Sequence, residues 1–224
     1  MNSGKILALE TSTHICSVAF QNSGGEISEK RTEHKGSHSE LLFIFIRELM
    51  EECSFSIADL DTVLVSSGPG SYTGLRISAS AVKGLLFRLD ADIFAVNTLA
   101  GFAQAANEGA VHAVINARRK HLYHQKFVKA EGYLSTGMEP AIRELDNINE
   151  ALEDGDQIIG TGIKRLSEKK LNQLIKLDEK EISAVNLIDL FSTAEGMKHF
   201  KKTTTEQLES NYLSSSQVNN TNIK

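Results

Sequence analysis

Thr62-Val63-Leu64-Val65, followed by Ser67-Gly68-Pro69-Gly70-Ser71-Tyr72-Thr73-Gly74-Leu75-Arg76, decides the fold of this chain. The first four residues, a β-branched threonine followed by the apolar Val63-Leu64-Val65, read as a strand of the kind buried on both faces of a sheet. A glycine-rich turn then delivers the chain into Ile77 to Leu89, which reads as a helix. Downstream, Ile93-Phe94-Ala95-Val96 is a second buried-type strand and Leu99 to Ala106 a second helix. Apolar strands alternating with helices predict parallel pairing with helices on both faces, an α/β class.

Upstream of the turn, Ile6-Leu7-Ala8-Leu9 and Cys16-Ser17-Val18-Ala19-Phe20 flank Thr11-Ser12-Thr13-His14 as a hairpin, and a third strand runs from about Glu26 to Thr32. Ser37-His38-Ser39-Glu40 has the form of a capping box, so a helix is expected to about Cys53. Within it, Leu41-Leu42-Phe43-Ile44-Phe45-Ile46 covers every side of a helix with apolar groups, leaving no solvent face there. Small residues Ser80, Ala81 and Gly84 follow on the next helix, and a mid-helix glycine costs roughly 1 kcal/mol relative to alanine, which points to close approach of another backbone. Residues 1–106 thus read as one lobe, with composition shifting at Asn107-Glu108-Gly109.

Residues 107–224 read as a smaller second lobe. Val111 to Ala117 and Leu122 to Val128 are expected strands joined by Arg118-Arg119-Lys120, and Gln157 to Gly160 is a third. Asn149 to Glu153 is expected to be helical, as is Ala184 to Phe200, capped by Ser183; the tail beyond about 213 is expected to be loosely ordered.

The formal net charge of −5 and pI near 5.8 argue against broad adsorption to nucleic acid or an anionic membrane, so any RNA contact must be local or shared. No stretch approaches membrane-spanning length, the start has no signal-peptide pattern, and the two cysteines, Cys16 and Cys53, suggest reduced thiols in the cytoplasm. The glycine-rich turn could cradle an anion with backbone N–H groups, Ser71, Thr73 and Arg76, but it is neither a P-loop nor G-x-G-x-x-G. The alternative is a tight strand-to-helix turn with Arg76 paired to a carboxylate; packing and partner docking are weighted above ligand binding. His34, His38, His121 and His124 are read as surface or cap-adjacent, with His121 and His124 on opposite faces of one strand.

Taken together, Ile6-Leu7-Ala8-Leu9-Glu10-Thr11-Ser12-Thr13, His38-Ser39-Glu40-Leu41-Leu42 and the glycine-rich turn resemble the TsaB family in order and spacing, over most of residues 5 to 106. A weaker likeness extends to Asn116-Ala117-Arg118 and Asn211-Tyr212-Leu213. The resemblance implies a two-lobed actin-like, hexokinase-like and sugar-kinase-like ATPase fold with a shortened second lobe. It also implies a non-catalytic scaffold in bacterial synthesis of threonylcarbamoyladenosine on tRNA, acting on a TsaD-type catalytic paralogue. A TsaE-type ATPase and tRNA would join through the complex, with ATP and a metal ion in the partner and none of the chain's own. In the fold the resemblance implies, the matching positions face the nucleotide and its metal, which makes Glu10, Thr11 and Ser12 the candidate cofactor-binding residues, the alternative being a carboxylate that caps the hairpin turn. The paralogue's two metal-holding histidines match Thr98 and Phe102, neither of which is a transition-metal ligand. Asn116 stands where the family has an acidic residue, and Ser214 where it commonly has arginine.

The expected partner interface comprises His38, Ser39, Leu42, Phe43, Ile46, Gly74, Arg76, Ser80, Ala81 and Gly84. Alone, the chain is expected to form a homodimer through the same helices; whichever of Leu42 and Ile46 faces outward should break it when made Glu, and Gly74→Glu should spare the fold while weakening docking. The alternative is a small ATPase, kinase-like or glycoprotease-like enzyme of the same superfamily, which would need Glu10, Thr11, Ser12, Ser71 and Arg76 to converge on a nucleotide.

Overall fold

A computed structural model describes residues 4–33 and 38–209. The chain opens with β1 (Ile6–Glu10), β2 (Cys16–Gln21) and β3 (Ile27–Thr32), an antiparallel meander. Then come α1 (His38–Glu52), β4 (Thr62–Gly68), α2 (Tyr72–Leu85), β5 (Asp92–Asn97) and α3 (Thr98–Ala103). The second half contains β6 (Gly109–Asn116), β7 (His121–Ala130), β8 (Tyr133–Thr136), β9 (Ala141–Glu144), α4 (Leu145–Ala151), β10 (Gln157–Ile159), α5 (Glu168–Leu171), β11 (Ile175–Lys176), α6 (Val185–Phe191) and β12 (Phe200–Thr203).

Two mixed six-stranded sheets result. The first has the order β12-β5-β4-β1-β2-β3, with β1, β4 and β5 parallel as expected. The second runs β11-β10-β6-β7-β8, with β9 also pairing β7. Central strands β1, β2 and β4 are apolar on both sides because both sides are covered. Edge strand β3 instead reads Ile-Ser-Glu-Lys-Arg-Thr, a charged rim that discourages further pairing.

Three apolar clusters fill the layers. One packs α1 and α2 on the outer face of the first sheet, through Leu42, Ile46, Leu49, Ala81 and Val82. A second lies between the two sheets, where α3 and α6 are sandwiched. The third covers the far side of the second sheet with α4. Helices therefore stand outside, between and beyond two sheets, the α/β architecture the alternation predicted. No helix among the described residues is long and apolar enough to cross a membrane.

Several boundaries differ from the sequence reading. The helix expected from Ala184 to Phe200 runs only from Val185 to Phe191, and Ala184 rather than Ser183 is its N-cap residue; Ser183, one residue earlier, accepts from the Val185 N–H at 3.0 Å. Gly196 then lies so close to the Leu190 carbonyl that a Cβ would collide with it, and a short 3₁₀ turn follows. Phe200 leaves that turn as the first residue of β12, pairing with Val96 and meeting Phe94 and Phe191 ring to ring. The residues beyond 106 therefore return a strand to the first sheet. Helix α4 begins at Leu145 rather than Asn149, and α2 ends at Leu85 before Arg88 adopts a left-handed φ of 63°. Ser37 of the expected capping box, His34, and the Asn211-Tyr212-Leu213 stretch with Ser214 lie outside the described residues.

Candidate functional site

Parallel strands bring the β1–β2 turn against the glycine-rich turn that follows β4. A Cβ on Gly70 would fall on the Ser12 carbonyl oxygen, and one on Gly74 on the Thr11 carbonyl oxygen. Only glycine permits that approach. The contact is closed by hydrogen bonds: the Thr11 hydroxyl donates to the Gly74 carbonyl at 2.8 Å, and the Ser71 N–H donates to the Ser12 carbonyl at 2.6 Å. The Gly74 N–H is held by the Ser71 side chain, the cap of α2. Two N–H groups of the supposed anion cradle are therefore spent inside the chain. Among the described residues Arg76 forms no ion pair with a carboxylate; its guanidinium stacks over the Tyr72 ring at 3.8 Å.

Glu10, Thr11 and Ser12 are all buried. One Glu10 oxygen accepts from the Ser12 N–H at 2.7 Å and from the Ser12 hydroxyl, and the other accepts from the Ser66 hydroxyl. Burial raises the Glu10 pKa above the ordinary carboxylate range, while these hydrogen bonds work in the opposite direction. The same burial, with the Glu10 charge nearby, pushes the Cys16 thiol up to about 12. Across from this turn, Glu179 bridges the gap to the second sheet. It meets His14 at 3.1 Å and Lys164 at 3.2 Å, and its backbone carbonyl accepts from Arg31. Glu179, Lys164, Gly160 and Glu33 line a cavity of about 390 Å³ there, and Glu10, Thr11 and Ser12 do not reach it.

On the opposite side of the first sheet lies the outer face of α1 and α2. Leu42, Ile46 and Leu49 point into the sheet, so neither Leu42 nor Ile46 faces outward as expected. Ala81 and Gly74 are buried as well, and the close packing at Gly74 is against Thr11 of the same chain, so Gly74→Glu would not spare the fold as expected. What the helices present outward is Phe43, 49% exposed, and Tyr72, 53% exposed, around a cavity of about 460 Å³ that Ser39, Arg76, Ile77 and Ser80 also line. Phe87, 71% exposed, extends the apolar surface past the end of α2. A Cβ on Gly84 would meet nothing within 4 Å, so the backbone there is open to an approaching element. His38 is only partly buried and its ring contacts the Ile15 carbonyl at 3.2 Å. Phe87 and Tyr72 belong to this surface but were not singled out from the sequence, where an isolated aromatic carries no sign of its exposure.

At the two positions matching the paralogue's histidines, Thr98 accepts from the Gly68 N–H at 3.1 Å and Phe102 is packed in the core between the sheets. Among the described residues, no group of three or more His, Cys, Asp and Glu could hold a metal.

The second sheet contains a buried polar cluster that sequence reasoning missed. His112 and His124 are diagonal neighbours on β6 and β7, because His112 pairs with Lys126. Their rings stack with centroids 5.1 Å apart. His112 Nδ1 lies 2.8 Å from His124 Nε2, and His112 Nε2 lies 3.0 Å from Asp156 Oδ2. These contacts assign the tautomers: His124 Nε2–H donates to His112, whose Nε2–H donates to Asp156. Among the described residues, His124 Nδ1 then has no hydrogen-bond partner. Burial lowers both histidines, His124 to about 3, which keeps both rings neutral. The expectation that His124 sits at the surface is therefore wrong; its strand face is the covered one, whereas His121 remains partly exposed near Glu144 at 3.7 Å.

Known proteins resemble this chain along its length. A family model named TsaD, tRNA N6-adenosine threonylcarbamoyltransferase, matches residues 26–208. A tRNA threonylcarbamoyladenosine biosynthesis protein TsaB from Bacillus subtilis is 32% identical over 131 residues, spanning 58% of this chain and 57% of that protein. The Haemophilus influenzae protein of the same name is 27% identical over 207 residues, 87% of either chain. The solved structure of YeaZ from Pseudomonas aeruginosa superposes with a TM-score of 0.80 at 26% identity, covering 94% of this chain and 100% of that one.

Proposed function

We propose that this chain, which belongs to the TsaD family, works in tRNA threonylcarbamoyladenosine biosynthesis as the non-catalytic subunit that docks on and activates a TsaD-type catalytic paralogue. The observation that carries the docking role is the outer face of α1 and α2. Phe43 and Tyr72 stand exposed around a shallow cavity, and Gly84 and the exposed Phe87 follow along and just past α2. A contiguous apolar patch on a single chain marks an interaction surface. Aromatic anchors over a pocket are the groups that dominate such interfaces.

The chemistry belongs to the partner on this reading. Glu10, Thr11 and Ser12 are committed to hydrogen bonds inside the chain, and the helix-start N–H groups beside them are spent on Ser12 and Ser71. ATP, a metal ion and the transfer of the threonylcarbamoyl group to the adenosine beside the anticodon are assigned to the paralogue, and a TsaE-type ATPase joins the same assembly in the cytoplasm. Without the paralogue, a second copy of this chain covers the same face in a two-fold contact. Homodimer and heterodimer then exclude one another.

The test is a modification assay with purified paralogue and an unmodified tRNA transcript, with and without this chain. Stimulation by the wild type, lost in Phe43→Asp together with heterodimer mass in light scattering, supports the reading. Equal modification rates with and without the chain overturn it.

A further inference from the structure

We propose that the tip of the β6–β7 hairpin, Arg118-Arg119-Lys120, with Lys164 and Arg165 beside it, is a docking surface for RNA phosphates through which this chain meets the tRNA. The inference rests on the reading just given, and it concerns a face remote in sequence from α1 and α2.

The chain carries a net charge of −5, yet five of its cations fall in these two short stretches. Arg118, Arg119 and Lys120 are consecutive and all exposed. Of the carboxylates near this edge, Glu144 faces His121 and Glu33 pairs with Arg31, whereas Glu179 pairs with Lys164 itself as well as with His14 and, with Asp178, lines the same cavity as Lys164, so the uncompensated charge is that of the hairpin tip. Lys164 keeps an 83% exposed side chain even so. Glu168, at the start of α5, is the remaining acidic group nearby in sequence. No carboxylate among the described residues forms an ion pair with Arg118, Arg119 or Lys120.

The surface is built rather than incidental. Arg165 donates to the Asn116 side-chain oxygen at 2.6 Å and to the Arg119 carbonyl, tying the hairpin tip to the 3₁₀ turn at Ile163–Arg165. Asn116 is the residue that stands where the resembling family has an acid. An amide oxygen accepts the guanidinium hydrogen bond without cancelling its charge, so Arg165 adds to the field of the tip. The other side of the tip is held by the Leu145 N–H, which donates to the Lys120 carbonyl at 3.2 Å. Arg119 occupies a left-handed φ of 58°, a conformation glycine adopts without strain, and the sequence places a guanidinium there instead.

RNA is favoured over a protein partner because the tip has cations without an exposed aromatic anchor; its one small apolar residue, Ala117, is half-buried. Consecutive guanidinium forks suit phosphate oxygens, and such contacts position a nucleic acid without reading its sequence.

The experiment uses the full chain with its purified paralogue and an unmodified tRNA transcript, measured across tRNA and salt concentrations, with heterodimer formation followed separately. Arg118→Glu/Lys120→Glu should raise KM for tRNA roughly tenfold and reduce the slope of log affinity against log salt by about two, at unchanged kcat and heterodimer mass. Lys201→Glu, an exposed reversal on β12, should change nothing. Unchanged KM and slope in the double variant, in a complex that still modifies tRNA, overturn this surface and leave the subunit reading standing. Loss of the heterodimer instead makes the tip a protein-docking face, and an equal effect from Lys201→Glu reduces it to overall charge; both overturn the inference. Failure of the wild-type chain to stimulate modification removes the subunit reading and this surface with it.

Discussion

Under the β1–β2 turn of the first sheet, Glu10 is buried with Ser12 and Ser66 donating to its two oxygens, in a pocket closed by Gly74 pressing on Thr11. Inside the second sheet, Asp156 anchors His112, His112 accepts from His124, and the last nitrogen of the series has no hydrogen-bond partner among the described residues. Both regions bury an acidic group, but they titrate in opposite senses. In the first, burial holds a carboxyl towards its neutral form; in the second, burial holds two imidazoles towards theirs. A lone acid is best kept by hydroxyls a few residues or one strand away, whereas a run of imidazoles requires strands and a loop from well-separated parts of the chain. The first pocket is therefore a packing device, and the second is the acid-sensitive part of the molecule.

The largest expected effect tests the packing device. Gly74→Ala places a methyl on the Thr11 carbonyl oxygen and should cost ~4 kcal/mol or abolish soluble expression, at the upper end of single-site effects. Urea unfolding measures it, and a loss below ~1 kcal/mol would show that the two turns can separate without harm. Next comes acid. The folded pKa of His124 lies at about 3, below the unfolded value of 6.5, so the unfolded chain binds more protons between them and stability falls as pH drops through that window. Between pH 7 and pH 4 the loss should be ~3 kcal/mol, and His124→Phe should flatten it. A wild-type profile flat down to pH 4 would sink the claim that the stacked pair stays neutral.

Glu10 supplies the opposite sign. Its folded pKa is raised, so its contribution is present at acid pH and declines as pH rises through the folded value. Glu10→Gln keeps an acceptor for Ser12 and should change stability by less than ~1 kcal/mol while removing that decline. Loss of several kcal/mol in this variant would mean the carboxylate charge itself is required. The smallest stability effect belongs to the outer helices: Phe43→Asp should shift the unfolding midpoint by no more than ~0.5 kcal/mol, since the ring is half exposed in the free chain. A cooperative loss of fold in that variant would place Phe43 in the core rather than on a docking face.

Much of the first sheet was legible from the amino acids because its signals are local. Ile6-Leu7-Ala8-Leu9, Thr62-Val63-Leu64-Val65 and Ile93-Phe94-Ala95-Val96 each report two-sided burial within a few residues, and the glycine-rich turn marks the strand-to-helix corner. The run from Leu41 to Ile46 likewise announced an apolar helix. It did not say which side meets the sheet, because an all-apolar stretch has no phase; packing on β2 chose Leu42 and Ile46 for the interior and left Phe43 outside. The partner of Gly74 lies 63 residues away and the partner of His112 lies 44 away, distances at which no periodicity carries information. The helix expected to reach Phe200 overran, and β12 was not read at all, because Phe200 is claimed by Val96 and two aromatic rings, contacts that exist only once β5 has an open edge. Composition and short-range pattern thus determined the α/β class, the parallel strands of the first half and the glycine corner. Tertiary packing alone decided which apolar groups stay exposed, which histidines are buried and which strands close the sheets, because burial is settled by the sum of contacts from distant segments rather than by any residue's neighbours in the chain.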